Sequence, residues 1–259
     1  MTNSAGSSPD PLFDLSGQVI AIAGAGGGLG KVFAQALADR GAKLCLFDIN
    51  ADAVTRLAEA HPDAHTAVSG VDDEAAMDRV LANAQTKLGR VTGAIYMAGV
   101  LPIAPALDLP EADFRLAMDV NVTGGLLFSR AAHRAMTKGG NKSGRIVHMA
   151  SVSSTVSNPN YVAYSTSKAA IAQMVRVLAR EWAPDGVLVN AIGPAMTETP
   201  MNAGYLADPD FHKAALSVIP MGRLGQPEDL IGTLVLLLSP AGGFITGQTV
   251  YVDGGRTLV

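Results

Sequence analysis

The sequence predicts an α/β fold: a doubly wound parallel sheet of about seven strands with helices on both faces. Three observations predict it. Short apolar runs alternate with helical patterns along the chain. A glycine cluster, Gly24-Ala25-Gly26-Gly27-Gly28-Leu29-Gly30, joins the first apolar run to the first helical one. Gly24, Asp48, Gly99, Ser151 and Pro194 all fall at or just after expected strand ends, the edge at which such a sheet gathers its ligands.

In order, Gln18 to Ala23 is a short apolar run and reads as the first strand. The helical pattern Lys31 to Arg40 follows, with Val32, Phe33, Ala36 and Leu37 on one face, and Gly41 stops it. Ala42 to Phe47 makes the second strand, ending at Asp48. Ala51 to Ala60 is helical, with Asn50 placed to cap it, and Ala64 to Val68 is a strand. Asp73 to Leu88 is a helix with Ala76, Val80 and Ala84 inward, before a strand from Thr92 to Met97. Glu111 to Ala117 and Val120 to Met136 are helical, and a polar loop, Lys138 to Ser143, leads into strand Arg145 to Ala150. Helix Ala163 to Trp182, strand Val187 to Ile192, helices Asp208 to Val218 and Pro227 to Leu238, and strand Gln248 to Val252 complete the alternation.

Length and composition set bounds. At 259 residues, of which 48% are hydrophobic, one domain over residues 13–259 is expected. Residues 1–12 are Ser/Gly/Asn/Pro-rich and read as a disordered tail without the basic start and apolar stretch of a signal peptide. A net charge of −4 argues against a nucleic-acid or anionic-membrane surface. The strongest apolar run, Leu230 to Leu238, is too short to span a bilayer. The single cysteine, Cys45, lies in an apolar strand and fits a reducing compartment, so a cytoplasmic protein is expected. His61 and His65 are four apart, but Pro62 between them opposes a shared helical turn, and no metal site is expected.

The chemistry-bearing residues are few. Strand, glycine turn, helix is the setting in which main-chain N–H groups and a helix N-terminus receive a pyrophosphate. Asp48 follows Gly30 by 18 residues, close to the spacing of a carboxylate that accepts from the adenosine ribose hydroxyls. Such a carboxylate repels a 2′-phosphate, and no Arg or Lys lies in the glycine loop before Lys31, so NAD is favoured over NADP. Tyr164 and Lys168 are one helical turn apart on one face. A free phenol with a pKa of about 10 is a poor base at neutral pH, and a nearby ammonium is expected to lower it. Ser151, thirteen residues upstream at the end of a buried strand, is placed to hold a substrate oxygen against that phenol.

With these residues in hand, the chain resembles the short-chain dehydrogenase/reductase family from about Leu15 to Gly255, which implies a Rossmann-like fold. Gly24, Gly28 and Gly30 look like its cofactor loop, with Leu29 beside them. Asn121, Ser151, Tyr164 and Lys168 look like its catalytic tetrad, and Asn190-Ala191-Ile192-Gly193-Pro194 with Thr197 and Thr199 resembles its nicotinamide-side segment. Arg223-Leu224-Gly225 and Asp253-Gly254-Gly255 fall within stretches that resemble its C-terminal signatures. The resemblance implies that Tyr164 is the acid/base in hydride transfer, that Lys168 lowers its pKa and holds the nicotinamide ribose, and that Ser151 orients the substrate oxygen. It implies that Asn121 positions a water leading from Lys168 to solvent, and that backbone near Val71, Ala98 and Gly99 completes the cofactor site. A homotetramer, built from the Val120–Met136 and Ala163–Trp182 helices and the last strand, is implied as well.

The chain departs from the family pattern at Tyr96-Met97, where two asparagines are usual, and at Gly70, Ala195 and Gly27. Segment 195–223, with Met196, Met201, Tyr205, Leu206, Phe211, Ile219 and Met221, reads as a lid over a small secondary alcohol or ketone. Leu127 and Asp185 stand where relatives acting on acyl carrier protein tend to carry arginines, which disfavours a 3-oxoacyl-thioester reductase. The rival from another class is a catalytically silent NAD-binding sensor or structural subunit.

Overall fold

The computed structural model of the chain describes residues 10–259, so the first nine residues of the expected tail lie outside the described residues. Seven strands, β1 (Val19–Ala23), β2 (Lys43–Asp48), β3 (His65–Val68), β4 (Val91–Tyr96), β5 (Gly144–Met149), β6 (Val187–Pro194) and β7 (Thr249–Val252), form one sheet in the order β3-β2-β1-β4-β5-β6-β7. Every neighbouring pair is parallel. The order reverses between β1 and β4, which opens a crevice at the carboxyl ends of those strands.

All five residues of β1 are buried, and the period of two divides them between two cores. Val19, Ala21 and Ala23 face a layer formed by α3 (Glu74–Leu88), α5 (Gly124–Thr137) and α6 (Val162–Trp182). Ile20 and Ile22 face the opposite layer, where Phe33 and Leu37 of α1 (Gly28–Ala38), Leu57 of α2 (Ala51–Ala60) and Leu234 of α9 (Ile231–Leu238) pack. Asn50 caps α2 by accepting from the Ala53 N–H at 3.0 Å. Cys45 is fully buried in β2, and burial pushes its thiol up to about 12.

Three elements differ from expectation. Helix α1 starts at Gly28 rather than Lys31, because Gly30 passes so close to Ala25 that a Cβ there would lie 2.6 Å from the Ala25 carbonyl oxygen. Segment 195–223 holds, besides the expected helix α8 (Pro209–Ser217), an additional single turn, α7 (Ala203–Leu206), and Asp208 caps α8 by accepting from Asp210 N–H at 2.9 Å. The expected helix Val120–Met136 is not continuous: α4 (Glu111–Ala117) runs into a wider π-helical turn, Met118–Thr123, before α5 begins. Side chains from outside hold that turn open. The Tyr96 hydroxyl donates to the Val120 carbonyl at 2.5 Å, while Asn121 turns its amide out of the helix onto Val100.

Gly124, first residue of α5, makes room for that tyrosine: a Cβ there would overlap the Tyr96 hydroxyl and come within 2.9 Å of Val71 Cγ2. Gly124→Ala is therefore expected to destabilise the protein by about 1–3 kcal/mol. In a Tyr96→Phe background the added cost should be smaller, as read from urea denaturation of the four chains; equal costs in both backgrounds would refute the steric account.

Candidate active site

The carboxyl ends of β1, β4, β5 and β6 border a cleft of about 440 Å³. At the end of β1, Gly24 has φ +79°, and a Cβ there would lie 2.6 Å from the Ala98 main-chain nitrogen, so only glycine lets the β1 turn meet the end of β4. Helix α1 opens directly from this turn, and no side chain caps it. Its first N–H groups, on Gly28, Leu29 and Gly30, have no acceptor within the helix and line the cleft. Asp48, at the end of β2, accepts from Gly26 N–H and Asn50 N–H, each at 2.9 Å, so one carboxylate fixes both the glycine loop and its own orientation.

Tyr164 and Lys168 stand one turn apart near the start of α6, with the Lys168 Nζ 5.5 Å from the centre of the Tyr164 ring. The ammonium is buried and donates to the Met149 carbonyl, the last residue of β5, at 2.7 Å. Ser151 follows two residues later; its Oγ accepts from Ser153 N–H at 3.1 Å, which leaves the hydroxyl hydrogen to donate. Asn121 is fully buried behind this group. Its Oδ1 accepts from Val100 N–H at 2.8 Å, and its Nδ2 donates to Val100 O at 3.0 Å and to Ser167 Oγ at 2.9 Å.

The expected electrostatics need correction. Burial pushes the Tyr164 phenol up to about 12, and the Ser151 hydroxyl draws it back only in part. Burial also pulls the Lys168 ammonium down to about 8. The lysine was expected to make the phenol more acidic. In this cleft, loss of water disfavours phenolate and ammonium alike, and Lys168 donates to a main-chain carbonyl.

Most of the sequence-predicted residues meet here. Gly24, Gly28, Leu29, Gly30, Gly99, Ser151, Tyr164, Lys168, Pro194, Thr197 and Thr199 all line the cleft. Asn121, Asp48, Val71 and Ala98 do not; they stand behind its wall or bear on its glycine turns. Tyr96 is buried among Phe128 and His148, so the altered pair presents only Met97 to the cleft. Asn158, Tyr161 and Arg256 also line the cleft and were not anticipated. Arg256 follows the Asp253-Gly254-Gly255 turn directly, which was the available signal for it.

A family model described as enoyl-(acyl carrier protein) reductase, one of the short-chain dehydrogenase models, matches residues 24–257. Galactitol 2-dehydrogenase (L-tagatose-forming) of Cereibacter sphaeroides is 38% identical over 251 residues, covering 95% of this chain and 98% of that protein. The crystal structure of a short-chain type dehydrogenase/reductase from Mycobacterium marinum superposes with a TM-score of 0.90 at 33% identity, over 96% of this chain and 98% of that one. The chain belongs to the short-chain dehydrogenase/reductase family. It is an oxidoreductase of that family, which uses a nicotinamide cofactor. A further short-chain dehydrogenase structure, a gluconate 5-dehydrogenase from Burkholderia cenocepacia J2315 in complex with NADP and tartrate, has a TM-score of 0.91 at 29% identity and covers 96% of this chain and 98% of that one.

The residues present fit such a cofactor: bare N–H groups at the start of α1, and a flat wall at Gly99, where a Cβ would come 3.2 Å from Asn121 Oδ1. Among the described residues no helix is long and apolar enough to cross a membrane.

The buried lysine has a measurable signature. Its folded pKa of about 8 lies below the ordinary 10.5, so the folded chain gives up this proton before the unfolded chain does. Below pH 8 both forms carry the charge and the fold bears the full cost of burying it; as pH climbs from 8 towards 10.5 that cost fades. Wild-type stability should therefore rise relative to Lys168→Met over this window, read from chemical denaturation of the cofactor-free chains. A flat difference would mean the ammonium is solvated.

Proposed function

We propose that the protein transfers a hydride between a nicotinamide cofactor, NAD in preference to NADP, and a small secondary alcohol/ketone pair. The observation that carries this reading is the placement of Ser151, Tyr164 and Lys168 in one cleft with the uncapped start of α1. A bound nicotinamide supplies the hydride acceptor in one direction and the donor in the other. The chain's residues manage the proton. Tyr164 Oη takes it from the alcohol or returns it to the ketone oxygen. Ser151, its Oγ fixed by the Ser153 N–H, holds that oxygen in place. Lys168, fixed by Met149, keeps a positive charge behind the oxygen on which negative charge develops. With the phenol pushed up to about 12, the resting cleft holds it protonated, ready to act as the acid.

Asp48 supports NAD. Held rigid by Gly26 and Asn50, its carboxylate has lone pairs left for ribose hydroxyls and repels a phosphate at the same place. That preference would set the chain apart from the NADP-bound gluconate 5-dehydrogenase. The relative that forms L-tagatose from galactitol supports a polyhydroxylated small molecule as substrate. The silent-sensor reading drew on Tyr96-Met97, and Tyr96 is turned into the core, away from the cofactor side. The thioester-reductase reading finds no cation at Leu127, while Asp185 is engaged by His133 at 2.9 Å.

Nicotinamide absorbance followed across a panel of polyols and ketones tests the reading. Turnover with NAD faster than with NADP is expected, and Tyr164→Phe should lose about 10²–10⁴-fold in kcat. Unchanged turnover in that variant would reject the mechanism; cofactor binding with no turnover of any substrate would favour the sensor. We read the assembly as a homotetramer through α5 and α6, where Val162 and Val177 of α6 are 41% and 45% exposed, with Leu116 of α4 at 48%. A monomeric elution volume on size exclusion would refute that.

A further inference from the structure

The cleft holds a second buried cation that hydride transfer does not use. Arg256 is only 9% exposed and lines the same cleft as Tyr164. A dedicated turn brings it there. Asp253 accepts from Gly255 N–H at 3.0 Å and from Thr257 N–H at 2.8 Å, and Gly255 takes φ +90°. A Cβ on Gly254 would lie 2.8 Å from Ile219 Cγ2, and one on Gly255 would lie 3.0 Å from Pro220 Cγ. Both glycines thus let the chain pass closely beneath the end of the lid before the arginine enters the cleft.

The guanidinium is under-partnered. Its Nη2 donates to Asn158 Oδ1 at 3.0 Å and its Nη1 to the Val259 main-chain oxygen at 3.1 Å. Two of five N–H donors are engaged, leaving three. Among the described residues no Asp or Glu side chain pairs with it. Val259 is the last residue described, so this oxygen belongs to its terminal carboxylate; the residue is 71% exposed, so water screens the pair, and a ligand carboxylate entering the cleft can outcompete it. Leu101, Met196, Phe211, Val218 and Ile219 make part of the cleft lining apolar. A buried guanidinium among apolar groups is costly unless an anion completes it.

We propose that Arg256 binds a carboxylate carried by the substrate, which makes the substrate a polyhydroxylated acid oxidised or reduced at a carbon remote from its carboxylate. The planar fork suits a carboxylate taken in bidentate fashion. A single cation suits a monoanion better than a phosphate dianion, and the lid cations Lys213 and Arg223 do not line the cleft. This rests on the dehydrogenase reading of the same cleft.

Four-, five- and six-carbon aldonates, each assayed against its own alditol with NAD and NADP, test it; D-glucitol 6-phosphate is the phosphate probe. The best aldonate should exceed its alditol in kcat/KM by at least about tenfold. Arg256→Gln should erase that margin through KM while leaving the alditols within about threefold, and Arg256→Lys should restore part of it. If Arg256→Gln fails to fold, Asn158→Asp supplies a counter-charge against the intact guanidinium and should weaken the aldonates selectively. Equal losses on acid and polyol would reduce Arg256 to a tether and overturn the proposal. So would an alditol matching its aldonate in every pair, or a preference for the phosphate. Polyol turnover without an acid preference overturns this inference but leaves the dehydrogenase standing. If nothing is turned over, the dehydrogenase reading fails first, and calorimetry of the aldonates on the cofactor-free chain decides Arg256: binding lost in Arg256→Gln supports it, and no heat with any aldonate overturns it.

Discussion

The site depends on one hydrogen bond, from the Lys168 ammonium to the Met149 carbonyl at 2.7 Å. It ties α6, the longest helix, to the last residue of a central strand, and so fixes the height at which Tyr164 stands above the sheet edge. The charge is kept in a place that disfavours it, which is why its pKa falls to about 8. A neutral side chain of the same shape would leave the Tyr164 ring without a positive charge 5.5 Å from its centre. The fold gives up stability to keep that charge.

A second set of contacts holds the layer behind the site. Asn121 spans from Val100, just past the end of β4, to Ser167 in α6, and the Ser167 hydroxyl in turn donates to the Tyr164 carbonyl at 2.7 Å. The Asn121 amide leaves its own helix to do this, and the Tyr96 hydroxyl takes up the Val120 carbonyl in the same wide turn. Tyr96 therefore acts as a structural brace. The departure from the family's paired asparagines alters the packing of the core more than the surface shown to a cofactor, because the main chain at Met97 and Gly99 still lines the cleft.

Much of this was legible in the sequence. All seven strands lie within about two residues of their expected bounds, because the five inner ones are mostly buried apolar runs between turn signals. The glycine loop, Ser151, Tyr164 and Lys168 were readable because their spacing carries their chemistry. What could not be read depended on contacts distant in sequence. The break before α5 comes from Tyr96 and Val100, more than twenty residues away. The rise in the Tyr164 pKa reflects burial, which a four-residue spacing to a lysine does not encode. Arg256 is brought to the cleft by a turn that runs under Ile219 and Pro220, more than thirty residues away in sequence.

The buried thiol of Cys45 carries a practical consequence. As the sole cysteine, fully enclosed and pushed up to about 12, it presents no thiolate to alkylating reagents or peroxide. Among the described residues, the thioethers open to oxidation instead are Met201 and Met221, which are 52% and 65% exposed. Met201 lines the cleft, so its sulfoxide would put a polar group on the cleft lining. Ageing of the protein in air would then show as altered substrate selectivity before any loss of fold.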